Sequence, residues 1–216
     1  MPPIAGAVLA YLVGSIPAAY IAGKALRGID LRQHGSGNLG ATNVYRVLGP
    51  RVAVLVLLAD VLKGALPVVL LRHWTAGAPE LVERWAIAYG VAAIAGHVAP
   101  IYLLWRGGGK GVATAAGVFL ALAPWSVLGA LVVWIAVFWP SGYVSLASLA
   151  AAVALPVGIL VQRGLSSPVL PVAVLVAAFV FWTHRANIGR LRRGEEHRFG
   201  RKRGRSHARG QGEGAG

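Results

Sequence analysis

The sequence predicts an all-α, polytopic integral membrane protein of about seven transmembrane helices, with its N-terminus outside and its C-terminus cytoplasmic. Three observations lead there. Of 216 residues, 56% are hydrophobic and only 13% are charged, against about 25% charged in a typical soluble domain; mean hydropathy is +0.65. Apolar runs recur along most of the chain, whereas a soluble protein of this length buries one core and wets the rest. The basic residues gather at the ends of those runs and are not spread over a surface.

The first apolar run, near residues 4 to 23, has no basic stretch ahead of it and is interrupted at Gly14 and Pro17. It reads as a membrane helix and not as a cleaved signal peptide. A bilayer core requires about 20 apolar residues per helix, and such spans follow near 52 to 71 and 85 to 104. From Gly111 to Trp139 runs a 29-residue apolar stretch broken at Pro124 and Trp125. Two short helices, near 111 to 124 and 125 to 139, suit it better than one long one, because proline kinks or breaks a helix and the stretch exceeds what one crossing needs. The last spans fall near 145 to 161 and 169 to 184.

Five Lys and Arg residues lie between Lys24 and Arg51, and ten of the 21 lie between Arg185 and Arg209. The positive-inside rule places both segments in the cytoplasm, so an N-terminus outside needs an odd number of crossings. Seven crossings also put Arg106 and Lys110 inside and leave only Arg72, Arg84 and Arg163 outside. This distribution accounts for the formal charge of +14 without nucleic acid as a partner. Residues 1–194 then form one transmembrane domain, and 195–216 a basic, glycine-rich, disordered cytoplasmic tail. Cysteine is absent, which excludes disulfides, a thiolate nucleophile and Cys-based metal sites.

Three polar segments fall on the inner side. The first, His34 to Arg46, is punctuated by glycine and offers Ser36, Asn38, Thr42, Asn43 and Arg46. Glycines let backbone N–H groups approach an anion, hydroxyls and amides add neutral donors, and an arginine adds a bidentate cation. The composition suits a phosphate, although Gly, Ser and Asn are also ordinary loop residues. In the second segment, Gly107, Gly108, Gly109 and Lys110 precede an apolar helix, where an anion meets free backbone donors, a helix dipole and an ammonium group. It is not a nucleotide-binding P-loop, since Gly111 stands where Ser or Thr is needed after the lysine.

The third segment, Phe181 to Phe199, sets His184, Asn187 and Arg190 at i, i+3 and i+6, on one helical face. Such a face binds a phosphate and handles a proton. Ser141, Ser145 and Ser148 form a weaker stripe that serves as hydroxyl donors or as small residues for close helix packing. Asp60 and Lys63, three apart in an apolar span, read as a mutually neutralising pair, and His97 as a helix-helix hydrogen bonder.

Together these segments resemble the bacterial acyl-phosphate:glycerol-3-phosphate acyltransferase family, the PlsY type. The first motif is similar to Ser36–Arg46, the second to Gly96-His97, Pro100 and the glycine-lysine loop through Thr114, and the third to His184, Asn187, Ile188 and Arg190, followed by Gly194 and Glu196. The resemblance covers nearly the whole chain to about Glu196. It implies a seven-helix membrane fold and transfer of a fatty acyl group from acyl phosphate to the 1-hydroxyl of glycerol-3-phosphate. The products are lysophosphatidic acid and phosphate, made at the cytoplasmic side of the bacterial plasma (inner) membrane in phospholipid biosynthesis. No cofactor and no metal are implied, and the partners are the two substrates and membrane lipids; the protein is expected to be a monomer.

The catalytic residues are then His184, Lys110 and Asn187. Substrate binding falls to Ser36, Asn38, Thr42, Asn43, Arg46, Gly107, Gly108, Gly109, Lys110, Ser145, Asn187 and Arg190. Three glycines stand at 107–109 where the commoner pattern has two. The H-x-x-x-x-D motif of thioester-using acyltransferases is absent, because the two aspartates, Asp30 and Asp60, are preceded five positions earlier by Ala25 and Leu55. A transporter for a phosphorylated metabolite is the alternative from another class, but no inverted repeat is visible; a lipid-binding scaffold would have no need of His and Asn at defined spacing.

Overall fold

The computed structural model describes residues 2–199. Ten α-helices occupy them: α1 (Pro3–Gly14), α2 (Ala18–Arg27), α3 (Ala41–Leu48), α4 (Pro50–His73), α5 (Pro79–Val98), α6 (Val112–Leu122), α7 (Pro124–Ser141), α8 (Val144–Arg163), α9 (Val169–Thr183) and α10 (Arg185–Arg192). Proline opens α1, α4, α5 and α7 at their first positions, where its missing N–H has no intrahelical partner to lose. The predicted split at Pro124 is present, α6 ending at Leu122 and α7 starting on the proline itself.

Five stretches are long and apolar enough to cross a membrane: Pro3–Arg27, Pro50–His73, Pro79–Leu103, Pro124–Ser141 and Val144–Arg163. The pair α9 and α10, bent by 57° at His184, makes a sixth if taken as one span. With 11 residues, α6 covers only about 16 Å. It nevertheless runs between the two ends of the bundle. Its Leu122 carbonyl accepts from Arg163 Nη2 at 2.5 Å, at the end where Arg163 also meets Glu83 at 3.3 Å. Its other end adjoins a glycine loop that folds back against the end of α5, where Gly109 N–H donates to the His97 carbonyl.

Glycines allow the helices to approach this closely. A methyl group on Gly14 would strike the Ala93 backbone of α5, and one on Gly96 the Tyr11 carbonyl of α1. Gly64 and Gly117 stand in the same relation to Thr114 and Val61, between α4 and α6. Contacts of this kind replace the hydrophobic drive that helices lack in lipid. Around them Val68, Val118, Phe119, Ile159 and Ala173 form the principal core.

Described structure continues past the domain boundary expected at Gly194. Phe199 N–H donates to the Gly142 carbonyl at 2.9 Å, and its ring lies 5.0 Å from that of Tyr45. The rest of the expected tail, 200–216, lies outside the described residues.

Candidate active site

The first polar loop is built around Asn43. Its Oδ1 accepts from the Ser36 N–H at 2.7 Å, while its Nδ2 donates to the Leu31 and His34 carbonyls at 3.3 and 3.0 Å. Both ends of the amide are thus engaged by the loop, and the residue is 1% exposed. Asn43 shapes the loop where the sequence had suggested a ligand donor. Ser36 stands exposed, and Asn38 and Thr42 are half-buried. Arg46 follows one turn after Thr42 on α3, its Nε buried and without a hydrogen-bond partner among the described residues.

The second loop leaves α5 through Leu104 and Trp105, both at left-handed φ, 53° and 57°. Trp105 Nε1 donates to Tyr11 Oη, which in turn donates to the Ala99 carbonyl, each at 2.8 Å. The three glycines have distinct parts. Gly107 takes φ +80°; at Gly108 a side chain would strike the Val98 carbonyl, and at Gly109 the His97 ring. Beneath them Asp60 Oδ1 lies 2.6 Å from Lys63 Nζ and 3.5 Å from His97 Nδ1, and Lys63 donates to the Ile16 carbonyl at 2.9 Å. His97 and the Asp60–Lys63 pair therefore brace the loop from below.

The third segment meets the second through Lys110, whose Nζ donates to Asn187 Oδ1. Asn187 Nδ2 passes the connection to Glu196 Oε1 at 2.6 Å, where Ser145 Oγ also donates at 2.9 Å. Glu196 Oε2 accepts from Arg190 Nε at 2.6 Å. The Glu196 side chain is only 3% exposed, so the residue at the centre of this network lies in what the sequence suggested was a disordered tail. The reason is a chain reversal. Helix α10 stops at Arg192, Gly194 adopts φ +70°, and Glu195 N–H returns to the Arg190 carbonyl at 2.8 Å, a glycine-dependent helix ending. A helix continued from His184 without a break would carry Glu196 away from the site; its place in the third motif is the signal that the sequence offers.

Of the serine stripe, Ser145 alone turns to this network. Ser141 and Ser148 donate to their own helices, at the Val137 and Val144 carbonyls. His184 is buried at the bend between α9 and α10, with Nδ1 2.8 Å from the Val180 carbonyl. A carbonyl only accepts, so Nδ1 carries the proton and Nε2 is left as an acceptor.

Three cations, Arg46, Lys110 and Arg190, act electrostatically on one another and on the single carboxylate Glu196. Burial pushes Lys110 down to about 8, opposed by Glu196 and assisted by Arg190 and Arg46. Burial would raise Glu196, but hydrogen bonds from Asn187, Arg190 and Ser145 outweigh it and hold the carboxyl below the ordinary glutamate value. Positive charge in excess of its protein partners, beside a buried guanidinium N–H with none among the described residues, is an arrangement suited to an anion.

The family model described as glycerol-3-phosphate acyltransferase matches residues 4–194. The chain is 47% identical over 194 residues to the glycerol-3-phosphate acyltransferase of Geotalea daltonii, covering 89% of this chain and 95% of the relative. It is 50% identical over 190 residues to that of Trichlorobacter lovleyi, covering 88% and 94%. The fold is similar to the crystal structure of PlsY (YgiH), an integral membrane glycerol 3-phosphate acyltransferase, in its glycerol 3-phosphate form. That match has a TM-score of 0.84 and 38% identity, and covers 93% of this chain and 96% of the other. The lysophosphatidic acid form matches with a TM-score of 0.81 and 37% identity over the same shares.

Proposed function

This chain belongs to the glycerol-3-phosphate acyltransferase family, and we propose that it transfers a fatty acyl group from acyl phosphate to the 1-hydroxyl of glycerol-3-phosphate. The products are lysophosphatidic acid and inorganic phosphate. One observation carries the reading: Arg46, Lys110 and Arg190 converge on a single carboxylate, leaving charge and a buried N–H for anionic substrates. Both proposed substrates are phosphates.

In the reaction the 1-hydroxyl oxygen attacks the acyl carbonyl carbon, and the bond from that carbon to the phosphate oxygen breaks. An acyl phosphate is already activated, so orientation and charge stabilisation supply what is needed. Arg46 and Ser36 hold the phosphate of glycerol-3-phosphate. Lys110, oriented by Asn187, helps Arg46 bind glycerol-3-phosphate and stabilises the departing phosphate. His184 accepts a hydrogen bond from the hydroxyl through Nε2 and orients it, while a phosphate oxygen takes the proton. What supports this assignment is the imidazole's other partner, a main-chain carbonyl and not a carboxylate.

The protein works as a monomer in the bacterial plasma membrane, with seven crossings and with Arg46, Lys110 and Glu196 on the cytoplasmic side. Absence of the H-x-x-x-x-D motif favours acyl phosphate over a thioester donor. Purified protein given glycerol-3-phosphate with acyl phosphate, acyl-CoA or acyl carrier protein in turn should form lysophosphatidic acid with the first alone. Efficient turnover with acyl-CoA only would defeat the reading.

A further inference from the structure

We infer that Asp30 and Arg32 are positioning residues for the glycine loop: the Arg32 guanidinium, clasped by the Asp30 carboxylate, joins the loop bearing Ser36, which leads into α3 and Arg46, to the loop bearing Lys110. The inference deepens the acyltransferase reading and rests on it for its kinetic consequence.

Arg32 Nε lies 3.0 Å from both carboxylate oxygens of Asp30, and Nη2 lies 2.6 Å from Oδ2. A two-pronged pair of this kind fixes the plane of the guanidinium. Nη1 is thereby aimed at the Arg106 carbonyl, which it meets at 2.8 Å across 74 residues of sequence. Below, the guanidinium carbon sits 5.3 Å from the centroid of the Tyr20 ring, a cation-π support. The stem of Arg32 also fits the second loop, with Cδ 2.8 Å from where a side chain on Gly107 would begin. Its own carbonyl lies 3.0 Å from the corresponding point on Gly37 in the first loop.

A partly exposed ion pair between near neighbours contributes little to stability on its own. The bond to Arg106 is what gives this one a further role. Arg106 follows two non-glycine residues in left-handed conformation, Leu104 and Trp105, and such backbone persists only where its surroundings hold it. Tyr11 holds one side through Trp105 and Arg32 holds the other through Arg106. Lys110 lies four residues on.

Arg32→Ala should raise KM for glycerol-3-phosphate about tenfold and change kcat by less than about threefold, because the loop is displaced and its chemistry is kept. Arg32→Lys should not restore KM, since an ammonium group cannot hold the two-pronged pair and reach Arg106 together. Asp30→Asn should shift KM the same way and add nothing to Arg32→Ala, the two residues acting as one unit. A second readout does not depend on turnover. The chain has no cysteine, so spin labels at Gln33→Cys and Arg106→Cys, both exposed, report the separation of the two loops directly.

The label distance distribution should be narrow with Arg32 present and broaden in Arg32→Ala. An unbroadened distribution overturns the joint, and a broadened one with unchanged KM overturns its positioning role. Failure of the parent protein to acylate glycerol-3-phosphate with any donor counts against the acyltransferase reading alone, and the distance measurement still decides the joint.

Discussion

Lys110 donates to the side-chain oxygen of Asn187, 77 residues further along the chain, and this contact joins the glycine loop to the bend after α9. Asn187 has spent its other end on Glu196, so the amide is held in one orientation and presents only its oxygen to the lysine. The ammonium is thus placed by hydrogen bonding and kept charged by a nearby carboxylate.

Removing that charge should cost more than binding. Lys110→Ala should lower turnover by about two orders of magnitude or more, the scale of a lost stabiliser of developing charge. Expression and unfolding temperature should be little changed. Near-normal turnover in a well-folded Lys110→Ala protein would reduce the lysine to a topology marker.

The same lysine predicts a pH limb. Burial brings it down to about 8 from its ordinary value of 10.5, and an anionic substrate binds better when it is protonated. Glycerol-3-phosphate affinity should therefore be full below about pH 8 and fall as pH rises through that value. Lys110→Arg, whose charge persists at any accessible pH, should flatten the limb. A KM that stays constant to pH 10 in the parent protein would contradict this.

Glu196→Gln tests the hub of the network. Its carboxylate takes hydrogen bonds from Ser145, Asn187 and Arg190, and an amide at that place must turn an N–H group toward a donor. A buried group left unsatisfied costs about 1–3 kcal/mol, and Arg190 is partly solvated, which lessens its share. A lower unfolding temperature in detergent is expected, along with reduced turnover. No change in unfolding temperature would show that the hub is dispensable.

Much of the candidate site was legible because the positive-inside rule accounts for basic residues but not for the glycines, amides and imidazole placed beside them. Arg46, Lys110 and Arg190 stood out by those neighbours. Glu196 did not, since its position depends on a reversal at Gly194 that no helical periodicity anticipates. Asn43 was read as a donor because composition cannot distinguish an amide that faces a ligand from one that ties its own loop. The brevity of α6 was visible in the proline at 124, but its reach between the two ends depends on the glycine loop lying against His97 and Val98.

Orientation can be read with single cysteines in the native cysteine-free background. Gln33→Cys and Ala76→Cys are both at exposed positions and leave the glycines with special backbone untouched. An impermeant thiol reagent added to intact cells should label Ala76→Cys and spare Gln33→Cys. Labelling of Gln33→Cys from outside would reverse the topology and move the site to the other face.

The proton of the attacking hydroxyl remains the sharpest test of His184. If the imidazole is a general base, replacing it should cost about 10²- to 10⁴-fold in turnover whatever the substitute. If it orients the hydroxyl while phosphate takes the proton, a polar substitute should preserve much of the rate. The fixed proton on Nδ1, held by the Val180 carbonyl, makes Nε2 a hydrogen-bond acceptor in either case, and a glutamine oxygen is an acceptor of similar reach. Phosphate itself titrates near 6, so a pH limb there does not identify the base, and the substitution has to decide. His184→Gln should keep turnover within about tenfold of the parent, while His184→Ala falls further toward the general-base range. Arg46→Ala, which removes a cation from the phosphate site, should raise KM for glycerol-3-phosphate more than His184→Gln does. A His184→Gln enzyme at background rate with unchanged glycerol-3-phosphate affinity would make the imidazole the base.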